Sequence, residues 1–589
     1  MASYQEMKAE ADRRWQELVS GSTPWIRVGT AMCGHAAGAL DVVAALRAES
    51  ARLGIDVTID EVGCLGLCFA EPLVDILKPG GPRVLFKNVS PADVSVLLEQ
   101  FLVRGRVLTD KALGYLGDLV ADGVANLAEF PGMRLQERIA LRNAGQIAPD
   151  DIHQYIANGG YGGLNKALLE MDPAATIKEV SDSGLRGRGG AAFPTGFKWG
   201  FMAGPAGPKK YILCNCEEGD PGAYNDKGIL ESDPHTLLEG VTIAGYATGA
   251  SNGFVFIRHG HDGPIDRTEH AIEQAYEAGL LGENILGSGF SFDIEVSLTG
   301  DSYVAGEETA LMESIEGKRS MPRARPPFPA AFGVWGKPST INNVKTLSYA
   351  PEIISRGGEW FSSIGVNRSK GTAIVCLSGN ITYPGMYEVP LGMSLGQVIE
   401  EIGGGVPGGK KLKLLQTGGP LGGVLGADGT SINLDYEEMS AAGAILGSGG
   451  IIVADEDTCA VDLTRVLVAF CQYESCGKCF PCRLGMTHLL EFLERISRFE
   501  GRSGDLQLME SVGKTMQAGS LCGHGQLGFN PIKSAVQHFE ADFRAHIEEK
   551  RCPTGSCSRP MLSPKNTRPF AEDFRGAPVP IQVSLGALS

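Results

Sequence analysis

Cys476, Cys479 and Cys482 stand two residues apart in ESCGKCFPC, and Cys522 follows downstream in SLCGHG. A C-x2-C-x2-C run with one remote thiolate is a [4Fe–4S] pattern: the tight run caps three irons and the distant sulfur takes the fourth. Zinc is more usually held by two separated pairs. A second stretch with chemistry in it is GLRGRGGAAFPTGFKWGF, from Gly184 to Phe201. Glycine has no Cβ and tolerates positive φ, so the backbone at Gly187, Gly189 and Gly190 can approach a phosphate closely. Arg186, Arg188 and Lys198 add positive charge there, and Phe193 and Phe201 an aromatic wall. The alternative is a glycine-rich surface loop, because short glycine patterns are common.

Carboxylates and amides recur in three further strings. Asn215, Glu217, Glu218 and Asp220 crowd one turn in CNCEEGDPGAYND; taken alone, acidic residues around Gly-Pro read as a solvated loop. Tyr303, Gly306, Glu307 and Glu308 repeat the arrangement, and paired carboxylates beside a glycine can take sugar hydroxyls. Asn342, Asn343 and Thr346 supply neutral donors. Phe328 lies between prolines in RPPFPA, next to Arg325, which is an awkward context for a core strand and a better one for a binding wall.

The elements that must hold these residues need several cores. At 589 residues the chain is too long for one. Its 43% hydrophobic and 21% charged content is ordinary for globular proteins. A net charge of −17 argues against nucleic acid as a partner. The 14 cysteines sit in local groups within a long acidic chain, which reads as metal ligation in a reducing compartment rather than a disulfide scaffold. The polar start, MASYQEMKAEADRRWQEL, has no apolar core of a signal peptide, and no run is long and apolar enough to span a membrane. The expectation is a cytoplasmic protein.

Residues 1–24 read as a charged helix. From 25 to 104 the chain alternates as a compact α/β unit: WIRVGT, IDVTIDEV and two segments around Pro-Gly-Gly as strands, GALDVVAALRAESARLG as a helix, and a closing helix capped by Ser90. Residues 105–180 read as mixed helical, and 181–370 as an α/β domain. A hairpin plus one helix is expected in 371–452, a helical region over 453–550 and an extended arm over 551–589.

In order, the strings quoted above, with SYVAGEETALMESIEGK and PSTINNVKT, resemble the flavin-binding subunit of respiratory complex I over residues 130–557. The pattern is most similar to diaphorase subunits of soluble, NAD-linked, electron-bifurcating hydrogenases and formate dehydrogenases. The resemblance implies an α/β multidomain chain: a thioredoxin-like N-terminal domain, a Rossmann-like flavin domain, a ubiquitin-like (SLBB-type) insert and a helical iron–sulfur bundle. It implies FMN and NAD(H) as cofactors, with Glu218 and Glu307 as candidate catalytic carboxylates. Gly187, Arg188, Gly189, Gly190, Lys198, Asn215, Glu217, Tyr303, Gly306, Glu308, Asn342, Asn343 and Thr346 would hold the flavin and dinucleotide. Phe193, Phe201 and Phe328 would stack adenine near Arg325.

Two further metal expectations come with the resemblance. Cys459, His546, Cys552 and Cys557 match a set carried by the bifurcating hydrogenases; three thiolates and an imidazole make a closed structural zinc site, the alternative being scattered buried thiols. Cys33, Cys64 and Cys68 match the [2Fe–2S] module of the family, but Arg27 or Val28 stands where its other cysteine belongs, so the expectation is a module without a cluster, with His35 the only nearby substitute ligand. The hydrogenase relatives continue into a ferredoxin-like domain that this sequence does not show. Electrons are therefore expected to leave through partner subunits of a multi-subunit complex, with ferredoxin a candidate acceptor. The function implied is that of an NADH:acceptor oxidoreductase component; the alternatives are a flavin-based bifurcating NADH/ferredoxin core and an iron–sulfur scaffold without flavin.

Overall fold

The computed structural model describes residues 3–204 and 209–558, so most of the expected arm over 551–589 lies outside the described residues. The first helix, Tyr4–Ser20, starts with a capping box between Ser3 and Glu6 and buries only Ala11. It is tied down by Trp15, edge-on to Trp25 at 5.4 Å, and by Tyr4, whose hydroxyl donates to Gly160 O.

A five-stranded sheet follows, in the order Thr58–Val62, Trp25–Gly29, Val74–Leu77, Arg83–Phe86, Ala112–Leu116. The first pair is parallel and the others antiparallel. Alternation sends Ile26 and Val28 into a core with Val42 and Leu46 of the Ala39–Leu53 helix and Val94 and Leu97 of the Pro91–Leu97 helix. Ser90 caps the latter in a capping box with Asp93. The strand Ala112–Leu116 corrects the sequence reading, which ended this unit at 104 and began a helical region at 105. ALGYL is short, and its pairing with Arg83–Phe86 spans a register shift, so local pattern did not reveal it.

The next sheet is fully parallel, in the order Asp293–Thr299, Asn252–Arg258, Tyr211–Cys216, Ser339–Asn343. Both faces are covered, as an all-parallel sheet requires. Ile212, Cys214, Cys216, Val255 and Ile257 face one core; Tyr211, Leu213, Phe254 and Phe256 face the other. In chain order the strands run 3-2-1-4, so direction of growth reverses between Tyr211–Cys216 and Ser339–Asn343. Open parallel sheets form their crevices beyond the carboxyl ends of strands at such a switch.

A mixed sheet orders Gly385–Pro390, Thr372–Gly379, Gly450–Asp455, Leu412–Thr417 and Val424–Gly426, backed by the short helix Gln397–Ile402. Helices Ala460–Tyr473, Phe480–Ser497, Asp505–Gly519 and Asn530–Ile547 then pack round Val468, Met486, Leu489, Met516 and Phe543. Among the described residues, no helix is long and apolar enough to cross a membrane.

Candidate functional site

The crevice at the switch point is a cavity of about 400 Å3. Asn215 and Asn343, register partners on the two flanking strands, both line it. The turn after the first strand adds Glu217, Glu218 and Asp220; the segment after Asp293–Thr299 adds Tyr303, Gly306 and Glu307; the glycine loop adds Gly189, Gly190 and Ala191. Among the described residues the N–H groups of Gly189, Gly190 and Ala191 have no acceptor, and Gly190 sits at φ +110°. Consecutive backbone donors facing a cavity form an anion cradle.

Charge in this cavity is closely held. Glu217 accepts from Arg258 at 2.8 Å, yet burial outweighs the guanidinium and pushes its carboxyl up to about 9. Glu218 accepts the N–H groups of Asp226 (2.9 Å) and Lys227 (2.8 Å), the first turn of the Asn225–Ser232 helix; burial, helped by Asp226, raises it to about 7. Burial also raises Asp220, whose Oδ1 is buried without a partner. Lys345 donates to Asn225 Oδ1 at 2.7 Å and Asp226 Oδ1 at 2.8 Å. Burial works to lower it, but Asp226 and Glu218 win and hold the ammonium above its ordinary value. Glu307 is the N-cap of the Glu308–Ile315 helix, accepting from Thr309 N and Ala310 N.

Other expected residues stand behind or beside the cavity. Arg188 is 3% exposed, and its guanidinium is spent on the carbonyls of Arg186, Lys370 and Thr372; its N–H donates to Thr346 Oγ1. Gly187 N–H is bonded to Phe193 O. The loop therefore lines the cavity with backbone, and the Arg188 guanidinium stands behind it, bonded to carbonyls. Asn342 is buried, accepting from Trp199 Nε1. Phe193, Phe201 and Phe328 are 47%, 61% and 60% exposed, which removes the reading of them as core residues. Lys198, Glu308 and Arg325 form an ion-pair chain on this outer side, Arg325 pairing with Glu308, which lies 3.8 Å from Lys198.

Sequence reasoning missed a whole wall. Gly418, Leu421, Ile445, Gly447 and Ser448 come from the mixed-sheet unit and close the cavity. Gly447 stands at φ +55°, and a Cβ there would lie 2.3 Å from Gly418 O, so the two loops meet backbone to backbone. The glycine runs TGGPLGG and LGSGG were the available signal. Lys345, between the named Asn343 and Thr346, was also missed.

Val304 and His524 line this cavity and also a neighbouring one walled by Cys476, Cys479, Cys482 and Cys522. His524 Nε2 bonds Cys471 O at 2.8 Å while burial lowers its basicity, leaving a neutral ring edge-on to Tyr303 at 5.8 Å. No three of these four sulfurs gather within 4.8 Å, a spacing that suits a cluster better than a single ion. By contrast Cys459, His546, Cys552 and Cys557 do gather within 4.8 Å, with Sγ and Nε2 separations of 3.5 Å among Cys459, His546 and Cys557. Cys33, Cys64 and Cys68 form another such group, and exposed His35 is not part of it.

Comparison with known proteins gives three matching family models: the Nuo51 FMN-binding domain over residues 180–352, the SLBB domain over 374–425, and the NADH-ubiquinone oxidoreductase-F iron–sulfur binding region over 462–546. The chain is 48% identical over 423 residues to the NADP-reducing hydrogenase subunit HndC of Solidesulfovibrio fructosivorans, covering 72% of this chain and 86% of that one. It is 44% identical over 417 residues to an NADH-quinone oxidoreductase subunit of Rhizobium meliloti, covering 71% and 99%. A solved NAD+-reducing [NiFe]-hydrogenase in the H2-reduced state matches with a TM-score of 0.63 at 26% identity, over 92% of this chain and 87% of that chain.

Proposed function

The chain belongs to the family of NADH-binding, FMN- and [4Fe–4S]-carrying subunits of complex I and NAD(P)-reducing hydrogenases, and from that premise we propose how its own residues divide the work. It is an oxidoreductase subunit that passes electrons between NADH and partner subunits. The unpartnered N–H groups of Gly189, Gly190 and Ala191 take the flavin phosphate. Asn215, Asn343 and Ser448, whose hydroxyl is buried without a partner, hold polar edges of the ring system. Glu217 and Glu218 shape the ring environment, and Glu307, fixed as an N-cap, faces sugar hydroxyls. The exposed trio Phe193, Phe201 and Phe328 offers stacking faces for adenine. Bound FMN would convert two-electron into one-electron chemistry, and a [4Fe–4S] cluster on Cys476, Cys479, Cys482 and Cys522 would carry single electrons.

The observation that carries this reading is the shared wall: Val304 and His524 separate the flavin-sized cavity from the four-cysteine cavity by a single layer of side chains. Purified chain should release FMN on acid treatment and reduce ferricyanide with NADH. Iron without flavin would instead support the scaffold reading.

Two structural assignments accompany it. We read the 25–116 sheet, with one parallel and three antiparallel pairings, as the thioredoxin-like unit, and the 3-2-1-4 parallel sheet as the Rossmann-like unit. We assign Cys459, His546, Cys552 and Cys557 to one tetrahedral zinc; His546 Nδ1 bonds Asp542 O at 2.7 Å, which aims Nε2 at the thiolates. Cysteines gathered as candidate metal ligands fit a cytoplasmic setting. The partner subunits, ferredoxin or another acceptor, and any bifurcation are to be read from what copurifies.

A further inference from the structure

The two-iron cluster implied by the thioredoxin-like family does not fit the residues at Cys33, Cys64 and Cys68. A [2Fe–2S] centre needs two ligands at each end, with the end pairs separated by the length of the cluster. Here three sulfurs all lie within 4.8 Å of one another. Arg27, near the place of the missing cysteine, is buried and bound elsewhere: it pairs with Asp75 at 2.9 Å, lies 4.0 Å over Trp25 and donates to Gln146 O.

Glu71 stands against Cys33, outside the three-sulfur group. Its Oε1 lies 3.7 Å from Cys33 Sγ, and its Oε2 is oriented by the Leu73 N–H at 2.8 Å. The carboxylate is 8% exposed, and among the described residues no Lys, Arg or His pairs with it. A buried carboxylate against three thiols is costly without a cation. The sulfur spacing suits one: a tetrahedral zinc with ordinary bond lengths sets S···S edges of about 3.8 Å. Cys64 and Cys68 are 3.9 Å apart, and all three sulfurs lie within 4.8 Å of one another.

We propose that this module has exchanged its cluster for a single thiophilic divalent ion, held by the sulfurs of Cys33, Cys64 and Cys68, with Glu71 beside Cys33 as an outer-shell carboxylate. The ion sits where three units meet. The Cys64–Cys68 loop is stitched to the mixed sheet by Met386 N–H to Gly66 O (2.9 Å) and Phe69 N–H to Pro384 O (3.2 Å). The Cys33 segment is tied to the flavin unit by Met32 N–H to Glu231 Oε2 (3.0 Å). A Cβ on Gly63 would stand 2.4 Å from Ser232 Cα, so the segment before Cys64 abuts that same helix. The ion therefore clasps the first unit onto the other two.

The test is metal content of the full chain, expressed with zinc and iron supplied. About four iron and about two zinc per chain are expected, one zinc from the C-terminal site. Cys64→Ser and Cys33→Ser should each remove about one zinc and no iron, with FMN content unchanged; Cys552→Ser should remove the other. Glu71→Gln, which keeps shape, should release one zinc to a chromogenic chelator at least about tenfold faster, by the loss typical of a weakened metal shell. About six iron per chain, with a low-temperature EPR signal lost in Cys64→Ser, would overturn the proposal in favour of a cluster. Zinc content and release unchanged in the Cys33, Cys64 and Glu71 variants would also overturn it.

Discussion

Glu218→Gln separates the burial of a charge from the capping of a helix. In place, the Glu218 carboxyl is raised from 4.5 to about 7, so burial outweighs the attraction of the helix N-terminus that it caps. The sign follows. A carboxyl whose folded value lies above its unfolded value contributes stability below pH 4.5 and loses it as pH rises through about 7. At about 1.4 kcal/mol per pH unit, ionising it in place costs about 3 kcal/mol. Glutamine avoids that cost but brings another. Its amide nitrogen cannot accept, so either Asp226 or Lys227 N–H is left unbonded, at about 1–3 kcal/mol. Below about pH 4.5 only the second term operates; the first grows between pH 4.5 and 7, and above pH 7 the two nearly cancel. Hydrogen exchange of the Asn225–Ser232 helix reads this locally, comparing variant and native chain at equal pH. Exchange should be about 5- to 100-fold faster in the variant at about pH 4 and about equal at about pH 8. A ratio that stays constant with pH would refute the titration. A ratio that grows with pH would refute the claim that burial wins.

Cys479→Ser should lower iron by about four per chain and abolish the cluster EPR signal while FMN is retained, because no flavin-cavity residue is touched. Phe328→Ala and Phe201→Ala should each raise KM for NADH about 2- to 10-fold with kcat little changed, the worth of one stacking contact; steady-state kinetics with ferricyanide checks this. Arg27→Met removes the 2.9 Å pair but leaves Asp75 bonded to Arg83, so it should destabilise the first unit by about 1–3 kcal/mol, seen as a lower thermal midpoint for its own tryptophan signal.

Legibility in the sequence followed how local the cause is. Ser90 announced a helix start, and WIRVGT and the alternating IDVTIDEV announced strands, because each depends on neighbours a few residues away. That Cys476, Cys479, Cys482 and Cys522 belong together was legible through spacing, and they do wall one cavity. Ala112–Leu116 was not, since what makes it a strand is an edge offered by Arg83–Phe86. The orientation of Arg188 was not legible for the same reason: its charge is visible in sequence, but the carbonyls that fix its direction belong to Lys370 and Thr372, far along the chain. Glu71 is one acid among many until folding puts it against Cys33. The identities of cavity residues were readable where a glycine or Asn-Asn string marked them. The wall from 418–448 was not, because its role is set by docking between units rather than by local pattern.

The lining of the flavin-sized cavity runs from Gly189 to Leu527. Domains fold as they emerge from the ribosome, roughly in chain order. The parallel sheet and its glycine loop can therefore form early, but the crevice stays open on the sides later supplied by Gly418, Gly447, Ser448, Gly523, His524 and Leu527. A nascent chain halted after the parallel sheet thus holds a cradle without a lid, and whatever fills the crevice is enclosed only once the later units have folded onto it.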